Sequence, residues 1–351
     1  MSGDRVAVVT GSSAGVGRAT ALAFAERGFD VALLARGRAG LAGAVNEVER
    51  TGARSLAVPT DVARFEEVDQ AAATVEAELG PIDVWVNNAM ATVFAPLAET
   101  QPEELRRAVE VTFLGQAWGT MAALPRMRER DRGVIVNVGS ALAFLGIPLQ
   151  SAYCSAKFAC RGFFESVRAE LIHEGSHVRL CMVHLPAVNT PQFSWCRTTF
   201  AEHPQPVPPI YQPEMAAERI VRSALDGRRA RVAGSWNKLL VAAASVMPGV
   251  ANRYAAIGAW GAQLADRPVE CGRRANLREP VDDDTDHGAH GGFDSTAGGF
   301  LDPSFRSTLP DTALTFGRAL MGTAGEKAQQ LRRGRPSRRQ GRVGRAARTS
   351  K

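Results

Sequence analysis

A tyrosine and a lysine four residues apart, Tyr153 and Lys157, are the pair in this 351-residue chain best suited to move a proton. If the surrounding segment is helical, the two stand on one face about a turn apart. A phenol with its ordinary pKa of ≈ 10 holds its proton tightly at neutral pH, and an ammonium group beside it stabilises the phenolate. The chain has three tyrosines and four lysines (Lys157, Lys238, Lys327 and Lys351). A Tyr-x-x-x-Lys spacing would therefore arise by chance with a probability of only about 0.03. Ser140 follows the apolar run 134–139, where its hydroxyl can hold a substrate oxygen within reach of the tyrosine. A serine in such a place is commonly a turn or helix cap, but the Tyr/Lys helix that follows favours the chemical reading.

Groups 13 residues apart in sequence converge only if a strand and a helix bring them together. Short Val/Ile/Leu-rich runs at 6–10, 30–35, 54–59, 82–87, 134–139, 178–184 and 230–233 read as strands. Amphipathic stretches at 16–28, 40–51, 65–79, 102–130, 151–174 and 214–226 read as helices between them. This alternation predicts an α/β fold with a doubly wound, parallel seven-stranded sheet of Rossmann type, its strands apolar on both faces. The first strand runs into Thr10-Gly11-Ser12-Ser13-Ala14-Gly15-Val16-Gly17 and then a helix. Glycines there let the backbone N–H groups approach a pyrophosphate at the positive end of the helix dipole. The end of the second strand, where an acid would take the ribose hydroxyl of NAD, offers Ala35 and then Arg36. An arginine can pair with a 2′-phosphate, so the expected cofactor is NADP rather than NAD.

On these residues the chain resembles the short-chain dehydrogenase/reductase family, in its shorter-core, single-domain branch, over residues 5 to about 235. The resemblance rests on Thr10-Gly11-x-x-x-Gly15-x-Gly17, Asp61-Val62, Asn87-Asn88-Ala89, Ser140, Tyr153-x-x-x-Lys157, and Pro186 with Thr190. It implies alcohol/carbonyl interconversion with Tyr153 as general acid/base, Ser140 on the substrate oxygen, and Lys157 on the nicotinamide ribose while lowering the tyrosine pKa. Cofactor contacts implied in the same way are Gly11, Ser13, Gly15, Val16 and Gly17 at the phosphates, and Arg36. Asp61 and Val62 would meet the adenine, Asn88 and Ala89 the adenosine-side ribose, and Pro186, Val188 and Thr190 the nicotinamide end. Three positions depart from the pattern. Thr112 stands where the family's proton relay has an asparagine, Met90 follows Ala89 in place of glycine, and Ala187 follows Pro186 in place of glycine. A threonine hydroxyl can bind a relay water but lacks the amide's two donors. The resemblance further implies a homodimer or homotetramer packed through the helices that begin at Pro102 and Ser151.

Outside that core the sequence is more open. Residues 190–213 hold six prolines and read as a lid over the site. Its Phe193, Trp195, Phe200 and Tyr211, with Met90 and Phe144, suggest a pocket for an apolar carbonyl or alcohol. Residues 236–265 read as one or two added helices, 266–325 as an irregular extension, and 326–351 as a basic, disordered tail. That tail holds ten of the 42 Lys/Arg residues behind the net charge of +6 and could attract nucleic acid or an anionic membrane. His287 and His290 lie among Asp282, Asp283, Asp284 and Asp286, a grouping that reads as solvated loop polarity rather than a metal site. Five cysteines without C-x-x-C spacing fit reduced thiols in the cytoplasm, and an apolar strand starting at Val6 leaves no room for a secretion signal. A non-catalytic nucleotide sensor, or an interaction protein working through its tail, stays open as the alternative.

Overall fold

The computed structural model describes residues 5–227, 229–270 and 272–298. Cys271, residues 299–325 of the irregular extension and the basic tail at 326–351 lie outside the described residues. Seven parallel strands form the main sheet: β1 (Val6–Thr10), β2 (Asp30–Ala35), β3 (Ser55–Pro59), β4 (Ile82–Asn87), β5 (Val134–Ser140), β6 (Arg179–Leu185) and β7 (Ala230–Val232). Their spatial order is β7-β6-β5-β4-β1-β2-β3. The order reverses between β1 and β4, and in open parallel sheets the crevice at such a reversal is where ligands bind.

The inner strands pair because helices flank both faces and bury both sets of side chains, whereas the edge strands β3 and β7 stay partly exposed. Every residue of β1 and β2 is buried, as is every residue of β5. One face packs Trp85, Ile135 and Met182 against helices α3 (Phe65–Glu78), α5 (Gly115–Glu129) and α6 (Ser151–His173). The other packs Val9, Leu33, Val136 and Val183 against α1 (Gly15–Ala25), α2 (Arg38–Glu49) and α7 (Pro213–Asp226). Each fully buried aliphatic side chain contributes roughly 1.5–3 kcal/mol, so the alternating pattern alone makes this layering favourable.

The stretch expected as one helix over 102–130 is divided. It comprises α4 (Pro102–Val109), a π-helical turn at Glu110–Leu114, and α5. A π turn inserts an extra residue into a helix and re-aims what it carries, and here it carries Thr112. Gly115 then passes so close to β3's exit that a Cβ would lie 2.7 Å from Val62 Cγ2.

Beyond β7, α8 (Ser235–Val246) and α9 (Pro248–Ala262) fold back on each other at Pro248. Ala244, Ala251 and Ala255 join Leu145 in a small cluster beside the main core. The chain next pairs Leu264–Pro268 antiparallel to Glu202–Pro204 of the lid. Residues 272–298 then return across the C-terminal edge of the sheet, with little regular structure. The segment ends with Ala297–Gly298 alongside Ile210–Tyr211, itself paired with Ala187–Val188. No helix among the described residues is long and apolar enough to cross a membrane.

Candidate active site

A cleft of about 360 Å³ opens at the β1/β4 reversal. Its floor begins at the turn after β1. Gly11 adopts φ +67°, a conformation that side chains disfavour, and a Cβ there would lie 2.8 Å from Ala89 Cα. Thr10 Oγ1 donates to the Val86 carbonyl and accepts from the backbone N–H groups of Asn88 (2.9 Å) and Ala89 (3.1 Å), so β1 and β4 deliver their loops as one unit. Asn88 Nδ2 closes the turn by donating to the Thr10 carbonyl at 2.9 Å. Helix α1 starts directly after Ala14, whose side chain cannot cap it. First-turn N–H groups without a side-chain cap are available to an anion.

The adenosine end is built differently from the sequence expectation, because the C-terminal segment forms part of its wall. Asn276, Leu277 and Asp282 line the cleft together with Ser13, Arg36, Asp61 and Val62. Arg36 donates from Nη1 to the Arg278 carbonyl (2.6 Å) and from Nη2 to the Asn276 carbonyl (2.8 Å). Asp61 receives Arg107 Nη2 at 2.6 Å, and Arg107 Nε also reaches the Leu277 carbonyl at 3.1 Å. Burial pushes the Asp61 carboxyl up, but the bonds from Arg107 and the Ala63 N–H outweigh it and hold it below the ordinary value. Arg18, buried under the glycine turn, pairs with Glu47 and with Asp286 of the same C-terminal segment. Gly15 N–H donates to the Gly288 carbonyl at 3.1 Å.

At the opposite end, α6 presents Tyr153 and Lys157 to the end of β5, as the four-residue spacing requires. The Tyr153 hydroxyl faces the Ser140 side chain across the cleft. Ser140 also accepts the Leu142 N–H at 3.1 Å, so it caps the short turn after β5 while facing the tyrosine. Lys157 is buried, donates from Nζ to the Val138 carbonyl at 2.6 Å, and lies 5.6 Å from the Tyr153 ring centroid. Burial raises the Tyr153 phenol above its ordinary value, with the Ser140 side chain pulling it back in part. Burial also lowers the Lys157 ammonium. In this cleft desolvation outweighs the mutual stabilisation expected from the sequence, and it disfavours the charged form of each group.

Beneath Ser140 lies His184, whose Nδ1 is 3.2 Å from the Ser140 carbonyl and whose ring meets Phe144 edge-on at 4.7 Å. Burial depresses its pKa to about 4 from an ordinary 6.5. The unfolded chain therefore takes up a proton first as pH falls below 6.5, so this histidine's contribution is present above that value and is lost towards pH 4. We expect the stability difference between pH 7 and pH 5 to include about 2 kcal/mol from this group. Urea unfolding of His184→Gln should show a correspondingly smaller loss, and an identical loss in both proteins would refute the assignment.

Thr112 does not reach the cleft. Its hydroxyl accepts the Ala91 N–H at 2.9 Å and donates its single proton to the Ala91 carbonyl at 2.8 Å. The hydroxyl expected from the sequence to bind a relay water thus spends its proton on pinning the loop after β4 to the π turn. Thr112→Val would leave two buried backbone groups unpaired and should cost about 1–3 kcal/mol in urea unfolding. An unchanged midpoint would show that the two bonds contribute nothing.

The remaining sequence candidates sort clearly. Gly11, Ser13, Gly15, Val16, Arg36, Asp61, Val62, Asn88, Ala89, Ser140, Tyr153, Lys157, Pro186, Val188 and Thr190 all line the cleft. Gly17 sits behind it, where a Cβ would lie 2.0 Å from the Gly11 carbonyl oxygen, so it is needed for packing α1 against the turn. Of the expected apolar groups Met90, Phe193, Trp195 and Tyr211 line the cleft, whereas two do not. Phe144 turns to His184 and lies under Arg161, and Phe200 packs on Trp260. Among the histidines of the acidic loop, His287 meets Trp195 edge-on and His290 pairs with Glu214 and Asp294. No cluster able to hold a metal ion occurs among the described residues.

Sequence reasoning missed Arg107 and the whole contribution of residues 276–288. A signal was present in α2. Gly37, Gly40 and Gly43 recur every third residue, and Cβ atoms there would collide with Asp282 (2.0 and 2.8 Å) and Asp286 (2.0 Å). Such a row on one helix face marks close approach by another segment.

With this geometry established, comparison with known proteins is direct. Residues 5–198 match the short chain dehydrogenase family. The chain is 33% identical over 267 residues to the uncharacterized oxidoreductase YxnA of Bacillus subtilis, covering 76% of this chain and 75% of that protein. It is 32% identical over 222 residues to human 17-beta-hydroxysteroid dehydrogenase 13, covering 63% and 71%. Among solved structures, an alcohol dehydrogenase from Thermococcus sibiricus complexed with 5-hydroxy-NADP shares 28% identity at a TM-score of 0.55, over 65% of this chain and 94% of that one. A short chain dehydrogenase/reductase from Burkholderia phymatum in complex with NAD shares the fold, at 21% identity and a TM-score of 0.62 over 70% and 93%.

Proposed function

The chain belongs to the short-chain dehydrogenase family and is an NAD(P)-dependent oxidoreductase acting on CH–OH and C=O groups; from that premise we propose that Tyr153 is its general acid/base, with Ser140 and Lys157 as partners. The observation that carries the reading is the convergence of Tyr153, Ser140 and buried Lys157 in the same cleft as the uncapped start of α1. The residues fit a dinucleotide: Gly11 leaves room at the phosphate end, where α1 starts without a side-chain cap, and Lys157 and Thr190 line the other. When bound, the nicotinamide supplies or accepts the hydride. In carbonyl reduction the Tyr153 hydroxyl passes its proton to the substrate oxygen, which Ser140 also holds by donating a hydrogen bond. In alcohol oxidation the same oxygen atom returns the proton to Tyr153. Lys157, charged, favours the phenolate that reduction leaves and that oxidation requires, offsetting its desolvation.

Met90, Ile147, Phe193, Trp195, Tyr211 and Leu240 give the substrate end of the cleft an apolar lining. That lining, and the likeness to a protein named as a hydroxysteroid dehydrogenase, support a bulky apolar secondary alcohol or its ketone. For the cofactor, Arg36 beside Ala35 supports NADP, and one solved relative holds an NADP derivative. The terminal nitrogens of Arg36 already serve Asn276 and Arg278, so the choice between the nucleotides falls to the charges that the C-terminal segment brings beside them. Met121 on α5 and Phe158 on α6 stand exposed and support a homo-oligomer through those helices. Four buried free cysteines among the described residues suit a reducing compartment such as the cytoplasm. The proposal is tested by following oxidation of NADH and NADPH against a panel of aliphatic, aromatic and polycyclic ketones. Turnover of the bulky apolar members is expected, and its absence across the panel with both nucleotides would sink the reading.

A further inference from the structure

We propose that Asp282, carried in by the C-terminal segment, reads the adenosine ribose of the cofactor and makes this chain take NAD in preference to NADP. This inference rests on the dinucleotide reading above and revises its cofactor. Its starting point is a vacancy in the chemistry of β2, which ends in Ala35 and offers no carboxylate to a ribose hydroxyl. Asp282 makes up that lack from 247 residues further along the chain. It is only 4% exposed and lines the cleft next to Ser13 and Arg36. Its carboxylate lies over α2's first turn, close enough that a Cβ on Gly37 would be 2.0 Å from Oδ1 and one on Gly40 2.8 Å from Oδ2.

Among the described residues no hydrogen bond is donated to this carboxylate, although Arg36 lies within its field. Its oxygens are not enclosed but face the cleft, where hydroxyl donors placed against them would gain charge-assisted hydrogen bonds. The vicinal hydroxyls of an adenosine ribose are such donors. A 2′-phosphate is not: it brings close to two negative charges and no proton to give at neutral pH.

Two further features oppose the phosphate. The first-turn N–H groups of α2, which would otherwise attract an anion, are already spent: Arg38 donates to Asp283 Oδ1 at 3.1 Å, Ala39 to the Asp283 carbonyl at 3.1 Å, and Gly40 to the Asp282 carbonyl at 3.0 Å. Arg36, the countercharge that NADP would need, has both terminal nitrogens on the Asn276 and Arg278 carbonyls and has Arg107 as a like-charged neighbour. Rebuilding that corner for a phosphate means giving up bonds already made.

The test is equilibrium binding of NAD⁺ and NADP⁺ to the full chain, its Asp282→Asn variant and its Asp284→Asn variant, with thermal melts to confirm folding. The wild-type chain should bind NAD⁺ at least about tenfold more tightly, the size of one charge-assisted hydrogen bond. Asp282→Asn keeps the shape and removes the charge, so the preference should shrink about tenfold or more. Asp284→Asn removes a neighbouring exposed charge that pairs with Arg274 and does not line the cleft, and its preference should stay within about twofold of wild type. Tighter NADP⁺ binding by the wild-type chain, an unchanged ratio in Asp282→Asn, or equal shifts in both variants would overturn the proposal. If neither nucleotide binds a folded wild-type chain, the dinucleotide reading itself has failed.

Discussion

Replacing Tyr153 with phenylalanine is expected to lower turnover about 10²- to 10⁴-fold in both directions, with a far smaller change in dinucleotide affinity. Phenylalanine keeps the ring and its packing in α6 and removes only the hydroxyl that faces Ser140. The effect therefore falls on the transfer step, not on the cradle for the nucleotide. The pH dependence gives an independent check with a defined sign. Burial holds the phenol above its ordinary value, so the protonated form, competent for carbonyl reduction, persists through neutral pH. Reduction should be flat there and decline only in the alkaline range, whereas oxidation, which needs the phenolate, should climb with pH. Measuring kcat/KM against pH in both directions tests this, and wild-type turnover in Tyr153→Phe would remove the residue from the mechanism.

Lys157→Met should be nearly as damaging, at about 10²- to 10³-fold in turnover. The ammonium is the buried cation on the tyrosine's own helix face, fixed by its 2.6 Å bond to the Val138 carbonyl. Removing it raises the energy of the phenolate, so the oxidation limb should move to higher pH as the rate falls. A lysine that only held β5 to α6 would behave differently. Its loss would lower the melting temperature, because the Val138 carbonyl keeps only the long 3.4 Å bond from Gln116 Nε2, and would leave the position of the pH limb unchanged. Lys157→Arg is not expected to restore activity, since the planar guanidinium cannot occupy the space of a compact ammonium beside Val138.

These expectations meet at a cleft whose two ends were unequally legible. The end that holds Tyr153 could be located because its residues are close in sequence or lie at the termini of regular elements: Tyr153 and Lys157 share a helix face, and Ser140 terminates β5. The glycine turn was legible for the same reason, strand, turn and helix being contiguous. Thr112 shows where that reasoning stops. Its type and place in a helical stretch were visible, but the π turn that aims its hydroxyl at Ala91, 21 residues earlier, was not. Likewise Phe144 and Phe200 have the composition of pocket residues, yet packing turned them to His184 and Trp260.

By itself the sequence determined the layered sheet, the phosphate turn and the Tyr/Lys pair, because apolar periodicity and short spacings act through local geometry. Tertiary structure decided the adenosine end. Arg36 alone reads as a partner for a phosphate, but in the fold it meets Asn276 and Arg278, with Asp282 alongside, from a segment some 240 residues away that has no periodicity of its own. Segments of that kind are placed by backbone carbonyls, caps and glycine gaps such as Gly37 and Gly40 on another element, and those complementarities exist only once the chain has folded.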